Sequence, residues 1–394
     1  MSKQRHPRIE QAERLMQHYL DDLKAIVNID SGTYTKAGVD HVGAYLQERF
    51  QDFGFSTTID RQEQYGNHLI ATHNGSASNG PRLLLIGHMD TVFSEGEAEK
   101  RPFALGQRNG MRIATGPGVL DMKSGILIGL YGLHLLIEPQ QTNYRLVTFV
   151  CNSDEEIGSP SSRPLIQELA KDADAVLVLE PGRAEDTIVS SRKGCGQYRV
   201  EVYGLSAHAG VEPQKGRNAI LELSYQVQRM QAINGTIPGA TLNVGIIRGG
   251  ERTNVVPDYA YFEMDARVTS QESIAALEAA IQKAASKTVL QGTKIVVSGD
   301  FICQPFERTE RNARLVQLAQ AAGRELGLDI QDVGSGGASD ANTSAVMGIP
   351  TLDGLGAGGG LAHNPDEYIE LDYLPERVAL LAGLVEQIGK HPVS

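Results

Sequence analysis

The stretch "LLLIGHMDTVF", residues 83–93, ends an apolar run in His88 and Asp90. Side chains of an extended chain repeat every two positions, so these two point the same way at the end of a buried strand. Two further apolar runs end in acids: 145–151 leads into Ser153-Asp154-Glu155-Glu156, and 175–179 into Glu180-Pro181-Gly182. A fourth segment, "GPGVLDMKSG", sets Asp121 in a glycine-rich turn before an apolar helix, and a fifth, "AHNPDEY", carries His363. Singly, each has an ordinary explanation: a hydrogen-bonded core histidine, a solvated acidic turn, a Glu-Pro-Gly turn. Together they gather ionisable groups past the carboxyl ends of strands, where an open α/β sheet binds ligands. Clustered carboxylates repel and raise one another's pKa unless positive charge sits among them. Two divalent cations resolve that conflict. One carboxylate can bridge them, each can take one histidine and one further carboxylate, and a leftover acid can serve as base. Imidazole and carboxylate without cysteine suit zinc, or cobalt or manganese in its place.

The elements that position these groups are legible from periodicity. Apolar positions at helical spacing mark 9–29 and 39–53, and strand-like runs at 82–86, 145–151 and 175–179 then alternate with helical stretches at 125–137 and 164–170. This alternation predicts an α/β domain with a mostly parallel sheet. Near residue 190 the style changes. A strand at 196–203, a helix at 219–233, strands at 241–248 and 259–268, a helix at 272–285 and a strand at 293–297 give a β-α-β-β-α-β order. That order matches the ferredoxin-like split-βαβ sandwich and reads as an inserted domain. The expected organisation is a catalytic domain in two parts, 1–190 and 303–394, interrupted by an inserted domain at 191–302. The second part carries a helix at 311–326, a glycine-rich 334–337, a strand at 349–352 and a closing helix at 375–389.

Composition narrows the function classes. Against 36 basic residues stand 48 acidic ones, a net charge of -12, which argues against nucleic acid or an anionic membrane as partner. Cys151, Cys195 and Cys303 are far apart and odd in number, and read as buried thiols rather than a disulfide or metal framework. "MSKQRHPRIEQAERL" lacks the apolar stretch of a signal peptide, and the longest apolar run, 126–137, contains His134 and is too short to span a bilayer. A soluble, cytoplasmic protein is expected. "GLGAGG" at 354–359 fits the dinucleotide-binding G-x-G-x-x-G by letter, but "LAHNPD" follows it and starts no helix, as that fingerprint requires.

The motifs "GHMDTV", "GPGVLDMKSG", "SDEEIGS", "LEPG", "GLSAHAG", "RTNVVPD" with "MDARV", and "HNPDEY", in this order across 85–370, resemble those of the M20 metallopeptidases. Within that family the resemblance is nearest to bacterial glutamate carboxypeptidases of the carboxypeptidase G type. It implies that His88 and Glu180 hold one zinc, Glu156 and His363 hold a second, and Asp121 bridges them. Glu155 would be the general base, and Asp90 would hydrogen-bond the far nitrogen of His88. The inserted domain would be a lid that also makes a homodimer contact, through which His208 reaches the partner subunit's site and helps hold the oxyanion. Asn254 and Arg267 would take the substrate's carboxylate or carbonyl. The implied reaction is zinc-dependent release of a C-terminal amino acid from a peptide or N-acyl amino acid. Deacylation of an N-acyl amino acid and dipeptide cleavage use the same core, and a non-catalytic metal- or peptide-binding relative is a further alternative. No basic residue stands between Asp300 and Phe306, where glutamate-cleaving relatives would offer one, so the side-chain preference stays open.

Overall fold

A computed structural model describes residues 5–182, 184 and 186–393. Its contacts divide into two units, Met1–Ser190 with Arg308–Gly334 and Ser339–Ser394, and Ser191–Glu307 with Ser335–Ala338.

The first unit is built on a six-stranded sheet in the order Ser56–Asp60, His68–Asn74, Leu146–Asn152, Arg82–His88, Ala175–Val178, Thr351–Leu352. The last four are mutually parallel and His68–Asn74 is antiparallel to both its neighbours, so the sheet is mixed, with parallel pairing over its larger part. The antiparallel edge was illegible because "STTID" and "HLIATHN" are short and interrupted by polar residues. Arg82–His88 is buried from Leu83 onward, which is why it reads as a continuous apolar run.

Four helices, Pro7–Val27, Ser124–Ile137, Glu310–Leu326 and Leu374–Lys390, pack on one another in this unit. The buried carboxylate of Asp22 is satisfied by the hydroxyls of Tyr45 and Tyr131, each at 2.7 Å. The helix Ser124–Ile137 lies unusually close to the end of the strand Ala175–Val178. A Cβ on Gly125 would stand 2.0 Å from the Leu179 carbonyl oxygen, and one on Gly129 2.7 Å from Leu179 Cδ1. Val119–Ile137 is long and apolar enough to cross a membrane, yet 83% of its most apolar window is buried in the protein. The backbone also leaves helical geometry at Asp121 (φ -113°, ψ 96°), so this is a kinked core segment.

A second, four-stranded sheet of Ala104–Arg108, Met111–Thr115, Tyr368–Glu370 and Gly359–Gly360 was not anticipated, since its first strand is wholly exposed and carries no apolar face. It anchors both ends of the loop that carries His363. The glycine-rich 354–359 leads into the short strand Gly359–Gly360 and then a loop, not a helix.

The second unit has a four-stranded antiparallel sheet in the order Thr241–Gly249, Tyr259–Val268, Gly194–Tyr203, Lys294–Cys303. Helices Ala219–Gln231 and Gln271–Ala285 pack on one face through Leu223, Leu277 and Ile281 against Val200, Val202, Phe262 and Met264. Every second residue of "YAYFEMDARV" is buried, the period of a half-buried strand. The last strand continues past 293–297 to Cys303, because Gly299 and Asp300 still pair with Tyr198 and Gln197 although they break the apolar pattern. Cys151 is buried as expected, but Cys195 and Cys303 are only partly buried and are cross-strand neighbours.

Candidate metal centre

His88, Asp121, Glu155, Glu156, Glu180 and His363 all converge in the first unit. The ligand atoms of His88, Asp121 and Glu180 lie within 4.8 Å of one another, and so do those of Asp121, Glu156 and His363. Asp121 is common to both groups and divides its oxygens between them. Oδ1 is 3.1 Å from His88 Nε2, and Oδ2 is 3.2 Å from His363 Nε2. Glu180 Oε1 stands 3.7 Å from His88 Nε2, and Glu156 Oε2 3.1 Å from His363 Nε2. Glu155 belongs to neither group, yet its Oε2 is 4.0 Å from His88 Nε2.

Each group is held by a distinct local device. His88 ends its strand, and its Nδ1 donates to the main-chain oxygen of Asp90 at 3.0 Å, with the Asp90 carboxylate at 3.4 Å. The carbonyl, not the carboxylate expected, is the nearer partner. The Asp90 carboxylate does more than face the ring: it accepts the Thr33 hydroxyl at 2.7 Å and the amides of Glu155 and Glu156 at 3.2 and 3.3 Å. One buried acid therefore ties the histidine's strand to the turn bearing both glutamates.

That turn, Glu155–Ile157, is closed by Gly158 at φ 87°, a left-handed position that suits glycine. Behind it, Asp154 accepts both the amide and the hydroxyl of Ser161 and of Ser162. Asp340, wholly buried, accepts from Ser159 and Asn152 at 2.5 and 2.7 Å, and burial pushes its pKa up to about 6. The Glu180 main chain is pinned by Gly356, whose amide donates to the Glu180 oxygen at 2.8 Å. Buried Arg377 holds that glycine-rich loop through the carbonyls of Gly354 and Gly356 and ties it to the strand Thr187–Arg192 through the Thr187 carbonyl.

Sequence reading missed Glu367. This buried carboxylate accepts the amides of Gly118, Leu120 and Asp121 at 3.2, 2.6 and 2.9 Å and so holds the turn that presents Asp121. Burial pushes its pKa up to about 7 against those hydrogen bonds. It stands in the quoted "HNPDEY", but an acid near a proline reads as a surface turn, and no spacing rule marks it.

The electrostatics show a cluster short of positive charge. Burial first, then the charge of Glu180, push Glu155 well above the usual carboxylate range. Burial likewise raises Glu156, whose Oε1 is buried without a hydrogen-bond partner. His363 is drawn up to about 10 by Asp121 and Glu156, and the same carboxylates' counterpart, His88, is held high by Asp121 and Asp90 although burial opposes it. Burial works to raise Asp121, but both histidines together hold it below the ordinary range. The acids thus draw both histidines toward their charged form, at the two places where positive charge is needed. An all-oxygen and nitrogen donor set, a shared carboxylate and an orphaned buried oxygen fit a pair of divalent cations.

Ligation requires neutral imidazole. Loading zinc near neutral pH is therefore expected to release about two protons per chain, one from each histidine. Affinity should rise with pH and level off only above about pH 10, once His363 has lost its proton. Calorimetric titration in buffers of different ionisation enthalpy measures this, and uptake of zinc without proton release would contradict the assignment.

The three remaining candidates lie in the second unit. His208 is exposed in a two-stranded ribbon where it pairs with Val255, and its Nδ1 accepts the amides of Gly210 and Val211 at 3.1 and 3.2 Å. That leaves the proton on Nε2. Asn254 is exposed beside it, its main-chain carbonyl accepting the Ala209 amide at 2.9 Å. Arg267 is half-buried and donates from Nε to Asp265 at 2.8 Å, which together with charge holds its guanidinium above its ordinary range.

Comparison with known proteins extends this geometry. The profile of "Peptidase family M20/M25/M40" matches residues 84–387. The chain is 32% identical to Carboxypeptidase G2 of Pseudomonas sp. (strain RS-16) over 374 residues, 93% of this chain and 88% of that one. It is 25% identical to the acetylornithine deacetylase of Shigella sonnei (strain Ss046), over 95% of this chain and 98% of the other. A solved tripeptidase of Staphylococcus aureus subsp. aureus Mu50 superposes with a TM-score of 0.81 at 25% identity, covering 95% of this chain and 99% of that one.

Proposed function

Because the chain belongs to the M20/M25/M40 peptidase family, we propose that it is a two-zinc hydrolase that cleaves an amide bond to release a C-terminal amino acid, as a glutamate carboxypeptidase does. The observation that carries this is the pair of ligand triads sharing Asp121, with Glu155 left outside both and beside His88. The likeness to an acetylornithine deacetylase favours a second reading, removal of an N-acyl group from an amino acid, and the tripeptidase a third, cleavage of short peptides.

In this reading His88 and Glu180 would hold one zinc, Glu156 and His363 would hold the other, and Asp121 would be shared between them. Bound there, the ions would lower the pKa of a water and polarise the scissile carbonyl. Glu155 takes the water's proton and returns it to the leaving amine. Its burial beside Glu180 raises its proton affinity, as a base requires. The Asp90 carboxylate, by holding the Glu155 and Glu156 amides, fixes base and ligand relative to one another. The βαββαβ order of the second unit matches the ferredoxin-like plan, and we read that unit as a lid and dimer contact. His208, with its proton on Nε2, would donate to the oxyanion in the partner subunit's site, and Asn254 and Arg267 would hold the substrate's carboxylate or carbonyl.

Arg267→Ala is expected to lower kcat/KM chiefly for substrates with a free α-carboxylate, by about 10- to 100-fold, since a planar guanidinium suits bidentate carboxylate binding. Equal losses on the amidated substrate would remove that role. The function as a whole is tested by mass-spectrometric detection of amino acids freed from N-acyl amino acids, γ-glutamyl and folyl conjugates and dipeptides, with zinc and with chelator. Chelator-sensitive release supports the hydrolase, and the amino acid freed defines its preference. No release from any member by protein loaded with two ions overturns it.

A further inference from the structure

Three residues on adjacent strands form one row across the open face of the second unit's sheet. Arg267 pairs with Cys195, and Cys195 pairs with Cys303 on its other side. Register partners in an antiparallel ladder project their side chains to the same face. Burial agrees: Cys195 sits with Gln197 and Arg199 on the face opposite the helices, while Tyr198 and Val200 point into the core. The ladder slips by one residue between Phe301 and Cys303, which brings Cys303 to the open face directly opposite Cys195.

Opposed residues in antiparallel strands have Cα atoms about 4.5 or 5.5 Å apart. A disulfide needs roughly 4.4 to 6.8 Å. Both regular spacings fall inside that window, and the pair stands where the ladder resumes after the register shift and runs on to Arg192 and Phe306. The position in the chain is as telling as the distance. The strands carrying the two cysteines continue outward as a hydrogen-bonded ribbon, Arg192 and Phe306 exchanging amide-to-carbonyl bonds at 2.9 and 3.0 Å. Beyond that ribbon the chain leaves the unit on both sides, at Ser191 and Glu307. A bridge here closes a loop of about a hundred residues, and long loops gain most from closure in the chain-entropy account.

We propose that Cys195 and Cys303 form a redox-responsive pair whose disulfide closes the inserted unit at its base. The oxidant class is a small disulfide such as oxidised glutathione. The thiolate of one cysteine attacks it, releasing one reduced glutathione and forming a mixed disulfide. The second thiolate then displaces the other glutathione, so two protein thiols are oxidised and one glutathione disulfide is reduced. Arg267 stands beside Cys195 in the same cross-strand row, with its guanidinium paired to Asp265. Cys151 is outside this chemistry, since it is buried and burial pushes its thiol up.

The test equilibrates the full-length, zinc-loaded protein with reduced and oxidised glutathione, quenches with an alkylating agent and reads intact mass and a peptide map. Expected are the loss of two hydrogens per chain, one cross-linked peptide pair containing Cys195 and Cys303, and full reversal by dithiothreitol. The oxidised protein should also unfold at higher denaturant than the reduced one. Cys303→Ser should abolish both changes, and Cys151→Ser should preserve both. Two thiols that stay reduced at every glutathione ratio, or separate glutathione adducts on the two cysteines, would overturn the proposal. The mass readout is independent of any hydrolase activity.

Discussion

Glu155→Ala is expected to bind both cations at full stoichiometry while losing about 10²- to 10⁴-fold in kcat. The geometry separates the two consequences. Glu155 is the one carboxylate of the cluster that lies in neither ligand triad, so its removal leaves all five ligand residues in place. It also removes a negative charge that burial and Glu180 already disfavour, so the variant should be no less stable than wild type. Metal content by inductively coupled plasma mass spectrometry, beside kcat on one good substrate, decides the matter. Near-wild-type turnover would sink the assignment, and loss of one ion would make Glu155 a ligand instead.

Asp121→Ala has the other large effect. Because its two oxygens serve both triads, the substitution should weaken both sites together, by more than the 10- to 100-fold typical of losing an outer-shell partner. Activity should fall to background with it. Glu156→Ala and Glu180→Ala are the controls, each expected to release the ion on its own side first. Competition titration with a chromophoric chelator reads both affinities. If Asp121→Ala kept one site at wild-type affinity, the shared-ligand arrangement would be refuted.

The ligand groups were legible in the sequence because strand ends are. Apolar runs buried on both faces stop abruptly, and the residue after the stop is at the sheet's carboxyl edge, as with His88, Glu156 and Glu180. Asp121 was legible through its glycines: Gly118 takes φ 71°, and a Cβ there would meet Thr91 Cγ2 at 2.5 Å. What escaped was the support behind them. Glu367, Asp340 and Arg377 are buried polar groups whose partners are mostly distant in sequence, and Asp154 binds two serines seven and eight residues on, a spacing that no local pattern announces. The cross-strand cysteines escaped for the same reason, since their pairing depends on two strands separated by most of the inserted unit. The antiparallel edge at 56–74 and the sheet at 104–115 were missed because they bury little apolar surface.

The glycine at position 125 has a consequence for engineering. The helix it occupies begins just after the Asp121 turn and presses on the carbonyl of Leu179, the residue before Glu180. The spacing between two donors of one triad is therefore set by the absence of a side chain rather than by the presence of one. A designer who wished to retune that triad for a larger ion could leave the ligands untouched; a methyl group at this contact is a wedge between the helix that follows Asp121 and the strand end that precedes Glu180.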